Sequence, residues 1–344
     1  MTGVRTVRRS DGQTAQLALL PASPPARLTT LDHHRRGTEC RGLPVRTVLN
    51  PPASTGMSFW SLNPYVGCEF GCSYCYARDT HRWVMERWDG GTACPERSEG
   101  VPPTDSFERL ILVKSDAASV LRRTLNPARV GSATILIGTA TDPYQPAERT
   151  FGLTRQLLET LLAYRGLTVG ITTKSSLVTR DIDLLVQLAD RHDLHVSLSL
   201  ATTDPVLLRR LEPRTPLPHA RLRALAALTR AGIHAGVLLA PILPGLTDGW
   251  ASLAAVMEAA KGAGARFVAG SALRLGPAAR ARFLPLLRRE FPGIAARYER
   301  HYATSANASR AYTSALARRI RLLQEVYGFA DGRSVGRSVA ARID

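Results

Sequence analysis

The sequence predicts an α/β protein, a partial (β/α)6 barrel followed by a helical C-terminal region. Two observations carry that prediction. Short β-branched or apolar runs recur at Thr134 to Gly138, Thr168 to Thr173, His195 to Leu200, His234 to Ala240 and Arg266 to Gly270, with starts 34, 27, 39 and 32 residues apart. Each gap holds a helical pattern, and strands alternating with helices at this spacing form right-handed βαβ units on a parallel sheet.

Taken in order, the first strand is expected over Phe59 to Val66, which brings the count to six units, fewer than the eight of a closed barrel. The helical gaps carry Leu153, Leu157, Leu158, Leu161 and Leu162, then Ile182, Leu185, Val186 and Leu188, then Leu222, Leu225 and Leu228 ending before Gly232. Beyond about residue 272 the strand signal stops. The series Leu316, Ile320, Leu323, Val326, ending at Gly328, then predicts an amphipathic helix. Residues 1–45 mix Arg5, Arg8, Arg9, Arg35 and Arg36 with Pro pairs and no sustained period, so they read as a basic, partly disordered N-terminal arm. Residues 89–105, DGGTACPERSEGVPPTD, read as a surface loop inserted into a core of residues 46–271, with residues 272–344 as the helical region.

The chain has 344 residues and a formal charge of +17. Of its 45 basic residues only Lys114, Lys174 and Lys261 are lysines, a bias that a GC-rich coding sequence produces without any polyanionic partner. A solvated basic surface and a nucleic-acid surface both fit that charge. The run from Gly236 to Leu246 is too short and too broken by proline to cross a bilayer, and no apolar stretch follows the N-terminal arginines as a secretory signal requires. Five cysteines, three of them within eight residues, are not a disulfide framework and suit a reducing cytoplasm.

Those three are Cys68, Cys72 and Cys75 in NPYVGCEFGCSYCYAR, a Cys-x3-Cys-x2-Cys spacing on the loop after the first strand. Three thiolates on one short loop suit a soft metal site. A structural zinc usually closes its tetrahedron with a fourth Cys or His nearby, and the nearest here are His81 and Cys94. A 4Fe-4S cluster with one iron open to a non-protein ligand needs only three cysteines, although most such clusters take four.

This spacing, with Tyr74 just before the third cysteine, resembles the signature of the radical S-adenosylmethionine superfamily. Between about residues 45 and 250 the chain is further similar to the spore photoproduct lyase-related branch. LNPYVGCEFGCSYCYAR, IGTATDPYQPAE, ITTKSS and the stretch from VSLSL through LEPRTP to APILPG carry that similarity. The resemblance implies a 4Fe-4S cluster on Cys68, Cys72 and Cys75, and S-adenosylmethionine chelated to the open iron. Reductive cleavage of that cofactor would yield a 5'-deoxyadenosyl radical that abstracts hydrogen from an unidentified substrate. It also implies an electron donor such as flavodoxin or ferredoxin.

By the same resemblance Tyr74, Asp142, Lys174, Ser197 and Ser199 lie near the cofactor. Lys174 would pair with the methionyl carboxylate, or be an ordinary strand-end lysine. Asp142 would bond cofactor hydroxyls or cap the following helix. Ser197 and Ser199 share one strand face, and register favours Ser199. Glu212 and Arg214 form an ion pair or orient substrate. The related lyases place a hydrogen-donating cysteine near the TATD element, where this chain has Thr139, Ala140 and Thr141. Lesion repair is therefore disfavoured unless a tyrosine substitutes, with Tyr144 as the candidate relay. Two other readings stand beside this one: a basic nucleic-acid-binding protein with structural zinc, and a catalytically silent protein that binds cluster and S-adenosylmethionine.

Overall fold

The computed structural model describes residues 29–34, 37–88 and 106–329. The arginines of residues 1–28, Arg35, Arg36, the expected loop at 89–105 and Cys94 lie outside these residues. The strands are β1 (Thr30–His34), β2 (Thr38–Gly42), β3 (Leu49–Asn50), β4 (Trp60–Leu62), β5 (Tyr65–Val66), β6 (Leu110–Val113), β7 (Ile135–Ile137), β8 (Thr168–Thr173), β9 (Asp193–Ser199), β10 (Ala235–Ile242) and β11 (Val268–Ala272).

Six parallel strands run in the order β4-β7-β8-β9-β10-β11, and β3 pairs antiparallel with β4 at the edge. These are the six units expected from the run spacing, in a sheet whose two ends are β11 and β3. Helices Leu153–Leu161, Ile182–Ala189, Pro218–Arg230 and Trp250–Gly262 fill the connections. Their apolar stripes supply Leu157, Leu161, Leu185, Leu188, Leu225, Leu228 and Val256 to the core against Val169, Ile171, Val196 and Val237 of the sheet. Two positions depart from the expected stripes. Val186 and Val326 are exposed, because Leu184 with Leu188, and Leu323 with Gln324, occupy the buried phase of their helices.

The expected strand from Phe59 to Val66 is in fact two strands in different sheets. Pro64 has no N–H to continue a ladder, and the chain turns there. β4 stays in the large sheet while β5 joins a second sheet of order β1-β2-β6-β5. Within the first 45 residues, β1 and β2 form an antiparallel pair, and β2 runs parallel to β6. This second sheet buries Cys40, Tyr65, Ile111 and Val113 against Ala147 and Leu153.

The C-terminal helices Pro277–Glu290 and Pro292–His301 lie over the cysteine loop, where Phe283, Leu287, Tyr298 and nearby Tyr302 pack with Cys68, Phe70, Cys72 and Tyr74. Burying an aromatic of this size contributes about 1.5–3 kcal/mol. Asp79, one turn past the loop, accepts the Ala278 N–H at 2.8 Å and anchors the first of these helices.

Gly67 sets the entry to the loop. Its φ is +85°, and an added Cβ would lie 2.7 Å from the Leu110 carbonyl oxygen and 3.0 Å from that of Phe107. Gly67→Ala should therefore destabilise the chain by about 2–4 kcal/mol, left-handed strain and overpacking together. Gly56→Ala, at φ +66° with no atom within 4 Å of its added Cβ, should cost only about 1 kcal/mol. Urea unfolding of both variants checks this, and equal losses would show that the close approach at Gly67 is not the constraint.

Candidate cofactor site

The cysteine loop is held by backbone. Cys68 N–H donates to the Phe107 carbonyl at 2.8 Å and Ser73 N–H to that of Leu211 at 3.0 Å, while Arg78 Nη2 reaches the Cys72 carbonyl at 3.3 Å. From the TATDPYQ turn after β7, Thr141 Oγ1 donates to the Gly67 carbonyl at 2.6 Å, and Gln145 Oε1 accepts from Glu69 N–H at 2.8 Å. Arg78 is itself buried in a 2.8 Å ion pair with Glu108 and lies over the Phe107 ring. Cys68 and Cys72 are buried and Cys75 less so. Burial pushes all three thiols above the ordinary cysteine range. Cys68 is raised further by Asp142 and by the other two thiols, and Cys72 by Glu212 against the opposing charge of Lys174.

The sequence-predicted residues after β8 and β9 converge beside this loop. Lys174 Nζ donates to Ser199 Oγ at 2.6 Å, stands 3.4 Å from Glu212 Oε1 and sits 5.8 Å above the Tyr74 ring. It is thus a partly buried member of a network and no ordinary surface lysine. Ser199 Oγ in turn donates to the Ala240 carbonyl at 2.8 Å. Lys174 bonds Ser199 and not Ser197, which is buried two residues earlier on β9, about 6.5 Å down the strand. Asp142 is already occupied. Its carboxylate accepts from Thr173 Oγ1 at 2.6 Å, Lys174 N–H at 2.7 Å and Tyr144 N–H at 2.9 Å, so it fixes the backbone that carries Lys174.

Glu212 is the hub of the network. It accepts hydrogen bonds from Tyr74 Oη, from Arg221 Nη2 and, at 2.9 Å, from Thr215 Oγ1. Arg221, 1% exposed, also donates to the Ser199 carbonyl at 2.7 Å and the Pro216 carbonyl at 2.9 Å. The buried partner of Glu212 is therefore Arg221 and not Arg214, which lies elsewhere. Burial alone would raise the Glu212 pKa, yet the charges of Arg221 and Lys174 hold it down at about 2. Sequence reasoning missed Arg221. Its one signal is an arginine one residue ahead of Leu222 in a helix whose apolar stripe faces the sheet.

Tyr144 packs in the main core, its ring 5.9 Å from the Arg180 guanidinium, and burial with the charges of Asp181 and Glu148 raises its pKa. Tyr76, immediately after the third cysteine, is 43% exposed and donates from its hydroxyl to the Thr139 carbonyl. Cys40 faces the interior of the second sheet, and burial pushes its thiol up to about 12.

The Radical SAM superfamily model matches residues 62–255. The chain belongs to the radical SAM superfamily. It is 33% identical over 280 residues to an uncharacterised protein of Mycobacterium tuberculosis, covering 81% of this chain and 78% of the relative. An uncharacterised protein of Methanocaldococcus jannaschii is 28% identical over 201 residues, 58% of this chain and 66% of that protein. Among solved structures, a two-residue mutant of spore photoproduct lyase with bound AdoMet and dinucleoside spore photoproduct superposes with a TM-score of 0.52 at 15% identity, covering 78% of this chain and 74% of the lyase. A single-residue mutant of the same lyase superposes at 0.54 and 14% identity, covering 88% and 78%. These likenesses share the fold. Membership of the superfamily implies an enzyme of radical chemistry that uses a 4Fe-4S cluster and S-adenosylmethionine and requires a reductant.

The donor set suits that cofactor pair. Three cysteine thiols lie on one loop, Cys68 and Cys72 buried and Cys75 less so, and soft thiolates of this kind suit iron–sulfur ligation. No helix among the described residues is long and apolar enough to cross a membrane.

Glu212→Gln should leave the Arg221 charge buried without its counter-ion and cost about 3–5 kcal/mol at pH 7. Because the folded carboxyl titrates at about 2, below its ordinary 4.5, its contribution is fully present above about pH 4.5 and is lost as the pH falls toward 2. The difference in urea-unfolding free energy between wild type and Glu212→Gln should therefore shrink over that window. A difference that stays constant from pH 5 to pH 2 would remove Glu212 as the titrating group.

Proposed function

We propose that this chain is a radical SAM enzyme in which Cys68, Cys72 and Cys75 hold the 4Fe-4S cluster, while Lys174 and Ser199 bind S-adenosylmethionine and Tyr74 and Glu212 position them. The observation that carries the proposal is the charge of the network beside the loop. Lys174 and Arg221 share one carboxylate, which leaves one positive charge in a largely water-excluded place, suited to the methionyl carboxylate of the cofactor. When bound and reduced, the cluster supplies the electron that splits S-adenosylmethionine into methionine and a 5'-deoxyadenosyl radical able to take hydrogen from a substrate.

The chain's own residues do the rest. The raised thiols must lose their protons to ligate iron, so assembly releases protons and is favoured as pH rises. Ser199 presents a hydroxyl fixed between Ala240 and Lys174, and Asp142 sets the height of Lys174 through its backbone. Phe283, Tyr298 and Tyr302 keep water from the loop on the C-terminal side. Cys75 and Tyr76, the more exposed end of the loop, mark where a reductant such as flavodoxin or ferredoxin would deliver its electron. With Cys40 buried in the second sheet and Thr139 to Thr141 in the TATD turn, lesion repair through a cysteine donor is not the activity proposed.

Anaerobically reconstituted protein should hold about four iron and four sulfide per chain. Cys68→Ala, Cys72→Ala and Cys75→Ala should each abolish the cluster absorbance and 5'-deoxyadenosine formation under reductant. Lys174→Met should keep iron and sulfide but weaken S-adenosylmethionine roughly tenfold or more, the loss of a charge-assisted contact. Zinc at one per chain without sulfide would overturn the reading. Cofactor binding without any 5'-deoxyadenosine would reduce it to a silent binding protein.

A further inference from the structure

A cavity of about 590 Å³ opens among the loops that follow β7, β8 and β9, next to the cysteine loop. Its walls carry three arginines from three segments: Arg149 after the TATDPYQ turn, Arg209 in helix Pro205–Leu211, and Arg214 in LEPRTP. Between them stand the hydroxyl residues Ser175, Ser176 and Thr215. Glu69 is the one carboxylate among the lining residues, and its charge also acts on Cys40 in the second sheet. Among the described lining residues, three guanidinium groups stand against one carboxylate, a lining of net positive charge.

The arginines are not used up by the fold. Among the described residues none of the three pairs with a carboxylate. Arg209 spends Nη1 on the carbonyls of Pro213 at 2.6 Å and Thr215 at 3.2 Å, which braces the loop carrying Arg214 and leaves its other N–H groups for a ligand. Arg214 Nη1 is buried with no hydrogen-bond partner among the described residues. A buried, unsatisfied guanidinium nitrogen is costly in a folded chain unless a ligand satisfies it.

We infer that this cavity is a binding site for a phosphate monoester. A dianion suits the net positive lining, and planar guanidinium forks match phosphate oxygens bidentately, giving more contacts than a lone carboxylate would fill. The site is distinct from the Lys174, Ser199 and Glu212 set but adjoins it. Ser175 follows Lys174 directly, and Thr215, whose hydroxyl bonds Glu212, also lines the cavity. An organic group esterified to a phosphate held here would extend from a fixed point beside that network.

Isothermal titration of the full chain with methyl phosphate, with and without reconstituted cluster, tests the inference separately from the cofactor reading. Methyl phosphate should bind once per chain, and dimethyl phosphate, a neutral-ended monoanion, at least tenfold more weakly. Arg149→Gln with Arg214→Gln should weaken methyl phosphate roughly hundredfold, two charge-assisted contacts. The control Arg123→Gln with Arg129→Gln removes the same charge from an exposed surface elsewhere and should stay within about twofold. The inference is overturned if binding is not saturable, if monoester and diester bind alike, or if both double variants lose affinity equally while retaining wild-type unfolding midpoints. Normal 5'-deoxyadenosine formation alongside any of those results would leave the cofactor reading intact.

Discussion

One buried carboxylate ties the candidate site together. Glu212 stands where β9's following loop meets the cysteine loop, and it is shared by Arg221, Lys174, Tyr74 and Thr215. An isolated carboxylate at such depth would be neutral, because burial disfavours the charge. Two cations keep it ionised, and the ionised form then dictates their positions. Arg221 reaches on to the Ser199 carbonyl, so the end of β9, the ammonium of Lys174 and the aromatic ring before the third cysteine are fixed relative to one carboxyl group. Replacing that cluster by apolar side chains would be no great loss of stability in a generic core. Here it would also remove the net positive charge beside the cysteine loop on which the proposed cofactor binding rests, so on that reading the network serves positioning more than stability.

The two sheets explain how so many loops reach one place. The large parallel sheet presents the ends of β7, β8 and β9 in sequence, as a β/α architecture does with its site. The small sheet supports the cysteine loop, with β5 leading into it and the Phe107 carbonyl, just ahead of β6, accepting from Cys68 N–H. Between them the TATDPYQ turn acts as a clasp, donating from Thr141 to Gly67 and accepting from Glu69 through Gln145. The C-terminal helices close the other side with Phe283 and Tyr298. The loop itself has little internal structure to rely on, which is why glycine is required at Gly67, where backbone from another segment comes too close for any side chain.

Much of this was legible in the sequence because it depends on local pattern. Short apolar runs placed five of the six parallel strands within two residues, while the first run overshot the end of β4 by four because the chain goes on into β5, and the cysteine spacing marked the loop from Cys68 to Cys75. Lys174 stands out as one of three lysines and Ser199 shares a strand face with Ser197, but only the family resemblance implied a place for them near a cofactor. What escaped depends on long-range geometry. Glu212 pairs with Arg221, nine residues on, and not with neighbouring Arg214, because the helix Pro218–Arg230 turns that guanidinium under the sheet while the loop turns Arg214 into the cavity. The second sheet escaped because β1 and β2 are short and polar, and β2 finds its other partner, β6, about seventy residues away. The break at Pro64 was visible, but the change of sheet it permits was not.

The TATD turn shows most clearly how a shared framework can carry different chemistry. Thr139 is bound on three sides. Its hydroxyl meets Ser61 Oγ and Asn63 Nδ2, and its carbonyl accepts from the hydroxyl of Tyr76. Asn63 also accepts from Ala140 N–H at 2.9 Å and, through its carbonyl, from Lys114 at 2.8 Å. A thiol at Thr139 would be a weak donor and acceptor in a pocket built for a hydroxyl, so this chain has committed the turn to scaffolding. On the proposed radical reading, hydrogen returned to a substrate radical would come from another group or from 5'-deoxyadenosine. On the proposed reading a substrate would be held by contacts outside the turn, and Arg149, Arg209 and Arg214, which pair with no carboxylate among the described residues, are the cationic contacts that the proposed phosphate cavity offers.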